Sequence, residues 1–452
     1  MIREITDIIR KTLPAGRVFF TFEDMPEYTK DATEEVFIPD ALFFAESEED
    51  IVDAVNLCQD INIPLVIRGA GTGYSGGALA TQGGLIVSIE RMDNIDIDST
   101  TLTATVGPGA ITGDVMRMAE AAGLFYPPDP ASYLESTIGG NIAENAGGLR
   151  CKKYGVTKDY TVAVRGVDAD GNIIASDYQS PFGLMDLFIG SEGTLFIFTE
   201  ITVRLIEQPK PGKTILALFD APVQAASVVA DITAEGIVPC ILEFMDGDAI
   251  SCSNEYNPEN RIETCAAMLL IETDGNNAES EAARIETICR KYSPVMLQVT
   301  EDVATRKKLW DTRRNLSKAV KQSVAVKTAE DVCVPPSRLP ELVEYVQELG
   351  QILALRVNCY GHAGDGNLHV NFLGMKGTAR EKEETTKGIE LLFKKTLALG
   401  GTLTGEHGIG ITKQKFLSDE FDVQTLSFMR RLKNVLDNKD IINPGKIFEI
   451  VK

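Results

Sequence analysis

An apolar strand-like run, PLVIRG (64–69), empties into IRGAGTGYSGGAL (67–79), and the way the chain leaves that loop is the tightest constraint on the fold. Gly71, Gly73 and Gly76 have the spacing of a dinucleotide-binding Rossmann fingerprint. That fingerprint opens directly into a helix. Here the chain runs on through GGALATQGG into a second strand-like run, GLIVSIE (84–90). A nicotinamide-dependent Rossmann enzyme is therefore disfavoured. The glycines are read instead as letting backbone N–H groups approach a pyrophosphate without a helix dipole. A purely structural glycine-rich turn is the plain alternative.

Two later segments share this character. Residues 126–155, YPPDPASYLESTIGGNIAENAGGLRCKKYG, carry Gly139-Gly140 and Gly147-Gly148 among small and polar residues, too many for a plain core element. Residues 187–205 set Ser191-Glu192-Gly193-Thr194 between strand-like runs. TLTATVGPG (101–109) reads as another strand, and SEEDIVDAVNLCQD (47–60) as a helix with an acidic start. Residues 1–207 thus read as α+β. Two prolines and a glycine at 208–212 predict a linker. Beyond it lie three β-α-β units: TILALFDAP to CILEFMD, AAMLLIETD to VMLQVT, and TAEDVCVP to LRVNCYG. Such units predict an antiparallel sheet covered by helices. The last segment, DIINPGKIFEIVK, is expected to pack back on the first domain. A chain of 452 residues is expected to hold two or three domains.

The formal charge of −22 argues against nucleic acid or an anionic membrane as partner. No stretch is apolar enough to span a bilayer, and MIREITDIIRKTL reads as a short amphipathic helix without the apolar core of a secretory signal. The expected compartment is the cytoplasm. The eight cysteines are scattered with no CxxC pair, which argues against an iron–sulfur cluster or thiolate zinc and for reduced thiols.

The histidines number only three: His362, His369 and His407. In VNCYGHAGDGNLHVNF (357–372), Asp365-Gly366 is the dipeptide of a two-residue type I′ hairpin. A turn centred there sets His362 opposite His369, with Cβ atoms about 4.5–5.5 Å apart. Two such imidazoles can share one ion, and alternation places Asn371 on the same face. The donor types suit Zn²⁺, alternatively Fe²⁺ or Mn²⁺. A further ligand is sought in GGTLTGEHGIGITK (400–413), where glycines at 405, 408 and 410 permit an irregular loop around the adjacent Glu406 and His407. On the helix expected over EDVATRKKLWDTRRNLSKAVKQ (301–322), positions 310, 313 or 314, and 317 share a face. An arginine there can hold a carboxylate bidentately.

Over about residues 35–450 these motifs resemble, in order, the vanillyl-alcohol-oxidase/PCMH superfamily. Within it they look like the branch of D-lactate dehydrogenases, glycolate oxidase large subunits and D-2-hydroxyglutarate dehydrogenases. The resemblance implies a PCMH-type FAD-binding domain (1–207, joined by 410–452) and a ferredoxin-like antiparallel-sheet substrate or cap domain (208–409) carrying a metal site. It implies FAD contacts from Arg68, Gly69, Ala70, Gly71, Thr72, Gly73, Gly76, Gly77, Pro128, Asp129, Ser136, Thr137, Gly139, Gly140, Asn141, Asn145, Gly147, Gly148, Glu192, Gly193, Ile197 and Asn443. With no histidine before residue 362, the FAD is expected to be non-covalent. The resemblance also assigns His362, His369 and Glu406 to the metal, His407 as base, and Arg313, Ser317, Lys327 and Asn371 to the substrate. A short insertion before Asp331 shifts Lys327 from the family's spacing. The expected activity is FAD-dependent oxidation of a small D-2-hydroxy acid, D-lactate first, with electrons passed to an electron-transfer flavoprotein or an iron–sulfur subunit. Glycolate and D-2-hydroxyglutarate are the alternative substrates. A FAD-dependent transferase and a non-catalytic flavin-carrying subunit are the readings of another class.

Overall fold

The first half is built by local signals that agree with one another. Ser47 accepts from the Asp50 amide and Asp50 reaches back to the Ser47 amide, a capping box that starts helix Glu48–Ile61. Three acids in its first turn face the positive end of the helix dipole, and Asn62 ends it in the left-handed conformation. Its Ile51, Ala54, Val55 and Cys58 share one face, which packs on Phe43, Leu65 and Val87. The computed structural model describes residues 2–449. In it, strands Ala41–Phe44 and Leu65–Arg68 flank Leu85–Ser88, both in parallel register. Residues 69–84 therefore join two parallel neighbours with no crossover helix. A second sheet is antiparallel, in the order Ile95–Asp98, Thr103–Val106, Ile197–Arg204, Thr161–Val167 and Ile173–Asp177. Ile441 and Ile442 enter the core beside Leu65, and the Leu65 amide donates to Ile441 O (2.8 Å).

The chain divides into two units. One comprises Met1–Gly147, Val156–Gln208 and Glu406–Lys452, the other Gly148–Gly155 and Pro209–Gly405. The expected boundaries at 207/208 and 409/410 are corrected at two places. The insert Gly148–Gly155 groups with the second unit because Lys153 and Tyr154 both bond to Asp274 (2.5 Å each). Residues 406–409 group with the first, where the Ile409 amide donates to Glu192. The expected linker is also shorter than read: Pro211 and Gly212 already lie in a strand. Met1 and residues 450–452 of the expected first domain lie outside the described residues.

The second unit is one seven-stranded antiparallel sheet. Its strands are β1 (Pro211–Phe219), β2 (Ile241–Asp246), β3 (Ala267–Asp274), β4 (Met296–Thr300), β5 (Val326–Cys333), β6 (Arg356–Gly361) and β7 (Asn367–Gly374). They run in the order β4-β1-β3-β2-β6-β7-β5. Directly paired residues point the same way, and alternate residues share a face. Met245 pairs with Tyr360, Tyr360 with His369, His369 with Asp331, and Asn371 with Asn358 and Ala329. One face therefore carries Glu243, Asn358, Tyr360, His369, Asn371, Asp331 and Lys327. Helices Gly247–Tyr256, Val303–Arg314 and Leu316–Gln322 lie over it, with Trp310, Leu316 and Val320 in its core. The other face presents Val357 and Phe372 to helices Leu339–Leu353 and Ala379–Ala398. The single helix expected over 301–322 is broken at Asn315, whose side chain donates to Asp311 O (2.8 Å) and competes with the helix ladder. Among the described residues no helix is long and apolar enough to cross a membrane. All eight cysteines are free.

Candidate functional site

The histidine hairpin differs from the expected two-residue turn. Ala363–Asp365 form a 3-10 turn, Gly366 takes φ +81°, and the Asn367 amide donates to His362 O (3.3 Å). The register is Tyr360 opposite His369, two residues from the one predicted. Val334 sets this: its amide donates to Gly366 O (3.0 Å), so a neighbouring strand, not the dipeptide alone, shapes the loop. A slip of two preserves the faces. The imidazoles still meet, centroids 5.5 Å apart and nearly perpendicular, as diagonal neighbours.

The rest of the face closes around them. Asp331, fully buried in β5, accepts the Gly405 amide (2.7 Å) and so fixes the peptide that leads to Glu406. His362, His369 and Glu406 each offer one ligand atom, all within 4.8 Å of one another. Two imidazole nitrogens and a carboxylate oxygen form a donor set that fits a divalent ion. His362 Nδ1 lies 2.7 Å from Glu243 Oε1. Glu243 Oε2 accepts from Arg313 Nε (2.6 Å), and Arg313 is buried rather than a surface arginine. Trp310, also buried, donates to Glu272 (2.6 Å). Lys327 Nζ reaches the Ser317 hydroxyl (2.7 Å) and the Tyr360 hydroxyl (3.2 Å), so strand β5 and helix Leu316–Gln322 bring the two residues together despite the shifted spacing. The Arg313 guanidinium lies 5.3 Å and the Lys327 ammonium 5.9 Å from the centre of the Tyr360 ring. Asn371 is fully buried; its amide donates to Asn358 (2.9 Å) and its Oδ1 meets no described partner.

The first unit shapes the glycine loop with buried cations. Arg68 donates to the carbonyls of Glu27 (2.7 Å), Lys30 (2.9 Å) and Ala78 (3.4 Å). Lys446 donates to those of Gly76 and Leu79 (2.6 and 2.5 Å), and burial pulls its ammonium down to about 8. Carbonyls held this way leave the loop's donors to an anion: the N–H groups of Gly69 to Gly73 reach no backbone carbonyl among the described residues. The buried Ser75 and Ser191 hydroxyls have no hydrogen-bond partner there either, and a side chain at Gly73 would meet open space. These features fit a pyrophosphate. Gly71 and Gly76 take positive φ, and a Cβ on Gly71 would strike Arg68.

Several expected contacts are committed to the fold itself. Thr137 caps helix Ile138–Glu144, Ser136 and Asn141 bond to Thr112, and Asn145 accepts the Lys158 amide. Asn443 accepts the Ile67 amide and donates to Glu192 O, while Ile197 is buried at the start of its strand. The Glu192 carboxylate accepts the amides of Ile409 (2.7 Å) and Gly410 (2.6 Å). Burial raises its carboxyl above the ordinary range and these bonds oppose the rise. His407 stacks on Tyr74, 4.9 Å between centroids.

With that geometry in hand, comparison with known proteins places the chain. The family described as FAD linked oxidases, C-terminal domain, matches residues 208–447, and a FAD binding domain matches 39–177. The chain belongs to the FAD-linked oxidases. The glycolate oxidase subunit GlcD of Bacillus subtilis is 37% identical, across 96% of this chain and 93% of that protein. The D-lactate dehydrogenase of Anaerostipes hadrus is 32% identical, across 99% and 97%. The crystal structure of p-cresol methylhydroxylase with substrate bound superposes with a TM-score of 0.81 at 14% identity, covering 98% of this chain and 96% of that one, and shares the fold. This FAD-linked oxidase is accordingly an oxidoreductase of the D-lactate dehydrogenase and glycolate oxidase type.

Sequence reasoning missed Glu243, Tyr360, Glu144 and Lys446. Glu243 left one signal, a lone carboxylate inside the apolar run ILEFMD. Glu144 is half-buried, with its Oε2 buried and unpartnered, and desolvation followed by the Glu192 charge pushes its carboxyl well above the usual range.

Proposed function

We propose that this enzyme oxidises a small D-2-hydroxy acid, D-lactate first, to the 2-oxo acid. The reading is carried by the His362, His369 and Glu406 donor set, and is supported within the second unit by Lys327 on the sheet face and Arg313 on the helix Val303–Arg314 that covers it. The 68–77 loop and residues 128–148 and 192–197 would hold FAD without a histidyl bond, and the flavin would supply the hydride acceptor. A divalent ion on the three ligands would lower the pKa of the 2-hydroxyl. Arg313 and Lys327 take the carboxylate, with Ser317 and Asn371 orienting the acid. A ring nitrogen of His407 receives the hydroxyl proton. Reoxidation falls to an electron-transfer flavoprotein or an iron–sulfur subunit, in the cytoplasm. Glycolate is a second reading, favoured by the name of the Bacillus relative.

The test is the visible flavin spectrum of the purified protein without air, on adding D-lactate, L-lactate, glycolate and D-2-hydroxyglutarate in turn. Bleaching by D-lactate but not L-lactate, lost on chelation and restored by Zn²⁺, is expected. Bleaching by glycolate alone selects the second reading. A flavin reduced by none of them sinks both and turns the question to a transferase or a carrier subunit.

A further inference from the structure

Glu243 is fully buried in β2, and each of its oxygens is taken. Oε1 faces His362 Nδ1 at 2.7 Å; Oε2 faces Arg313 Nε at 2.6 Å and Nη2 at 2.5 Å. A buried carboxylate needs a charge partner, and Arg313 alone meets that need. The imidazole is a second partner, so its contact is about orientation. An imidazole giving its Nδ1 proton to a carboxylate keeps its lone pair on Nε2. The guanidinium is a rigid planar fork, so two contacts to one oxygen fix its plane. We propose that Glu243 is a positioning residue that orients a metal-ligating histidine and a substrate-binding arginine through one carboxylate, so that ion binding and recognition of the acid depend on the same side chain. This rests on the reading of His362 as a metal ligand.

Glu243→Gln offers one acceptor where two groups need one. In the FAD-loaded full chain, Zn²⁺ affinity, followed by calorimetry, should weaken about 10- to 100-fold in this variant, the range for an outer-shell partner of a ligating histidine. The concentration of acid giving half-maximal flavin reduction should rise with it, while the flavin spectrum before substrate stays as in the wild type. Wild-type Zn²⁺ affinity in Glu243→Gln would overturn the proposal. Zn²⁺ bound equally by wild type and His362→Ala would instead overturn the metal reading, and the proposal with it. A measurement that needs no Glu243 variant is the nitrogen spectrum of the wild-type histidines without metal. With three histidines in the chain, His362 is assigned by its loss in His362→Gln. A proton on His362 Nδ1 is expected, and Nδ1 without one refutes the assignment.

Discussion

Replacing Lys327 by Met tests which cation carries the substrate charge. Arg313 has Nε and Nη2 on the buried Glu243, so its charge is already balanced. Lys327 bonds to two hydroxyls, of Ser317 and Tyr360, which leave its charge for an incoming carboxylate. A hydrogen bond between charged partners contributes about 1.5–3 kcal/mol net. Lys327 is only half-buried, so solvent screening puts it at the low end, about 1.5–2 kcal/mol, or roughly 10- to 30-fold in binding. The substitution should be well tolerated, because Lys327 lies on the edge strand β5. The stability lost is about that of one cation–π contact with Tyr360, roughly 0.5–1 kcal/mol. The assay is the rate of anaerobic flavin reduction against D-lactate concentration at two ionic strengths. The half-saturating concentration should rise roughly 10- to 30-fold while the limiting rate holds. Added salt should weaken wild-type binding more than binding to the variant. A half-saturating concentration within about twofold of wild type would show that the carboxylate does not use Lys327, and would shift the role to Arg313 with Glu243 released.

Three further outcomes are expected. Gly405→Ala should cost most of the metal loading, because a Cβ there would stand 2.6 Å from Asn367 Cγ and displace the peptide that Asp331 holds before Glu406; full loading by elemental analysis after dialysis would contradict this. Glu192→Gln should lower the melting temperature and loosen FAD, since two amides converge on the carboxylate and an amide side chain leaves one of them facing a donor, a penalty of about 1–3 kcal/mol; a variant that melts with wild type would show that the carboxyl is protonated there. Burial pushes Asp246 from the ordinary 3.8 up to about 7, so between those values the folded chain keeps a proton that the unfolded chain has lost. Its contribution therefore favours folding at low pH and is lost as pH rises through about 7, on the order of 4 kcal/mol; Asp246→Asn should flatten that fall in melting curves taken from pH 4 to 7, and an unchanged slope would sink the assignment.

What the sequence made legible was mostly local. The absence of a helix after Gly76 could be read from residues 77–90, and the two strands on either side of the loop are parallel neighbours. The periodicity of the three β-α-β units located β1 to β6 because each unit carries its own apolar pattern. The losses came where distant residues override a local rule. Asp365-Gly366 alone favours a two-residue turn, yet Val334 captures Gly366 and lengthens it. Arg313 carried the pattern of a surface residue on a helix, but its partner is 70 positions away in sequence, and His362 finds the same carboxylate 119 positions away. No window of sequence contains that triangle.

The charge on this face bears on substrate size. On the proposed reading, Arg313 and Lys327 stand against Glu243, Asp331 and Glu406, a sum of −1 that repels any acid. One divalent ion turns the sum to +1, and a monocarboxylate brings it to zero. D-2-hydroxyglutarate carries two carboxylates and returns it to −1 beside the buried Glu243, Asp331 and Arg313, where an unpaired charge is costly. Metal loading should therefore gate acid binding, and the ranking should be D-lactate and glycolate over D-2-hydroxyglutarate by at least about tenfold in the rate of flavin reduction at low concentration. If D-2-hydroxyglutarate were the fastest, a further cation would have to face the second carboxylate, and the charge count that favours a small acid would be wrong.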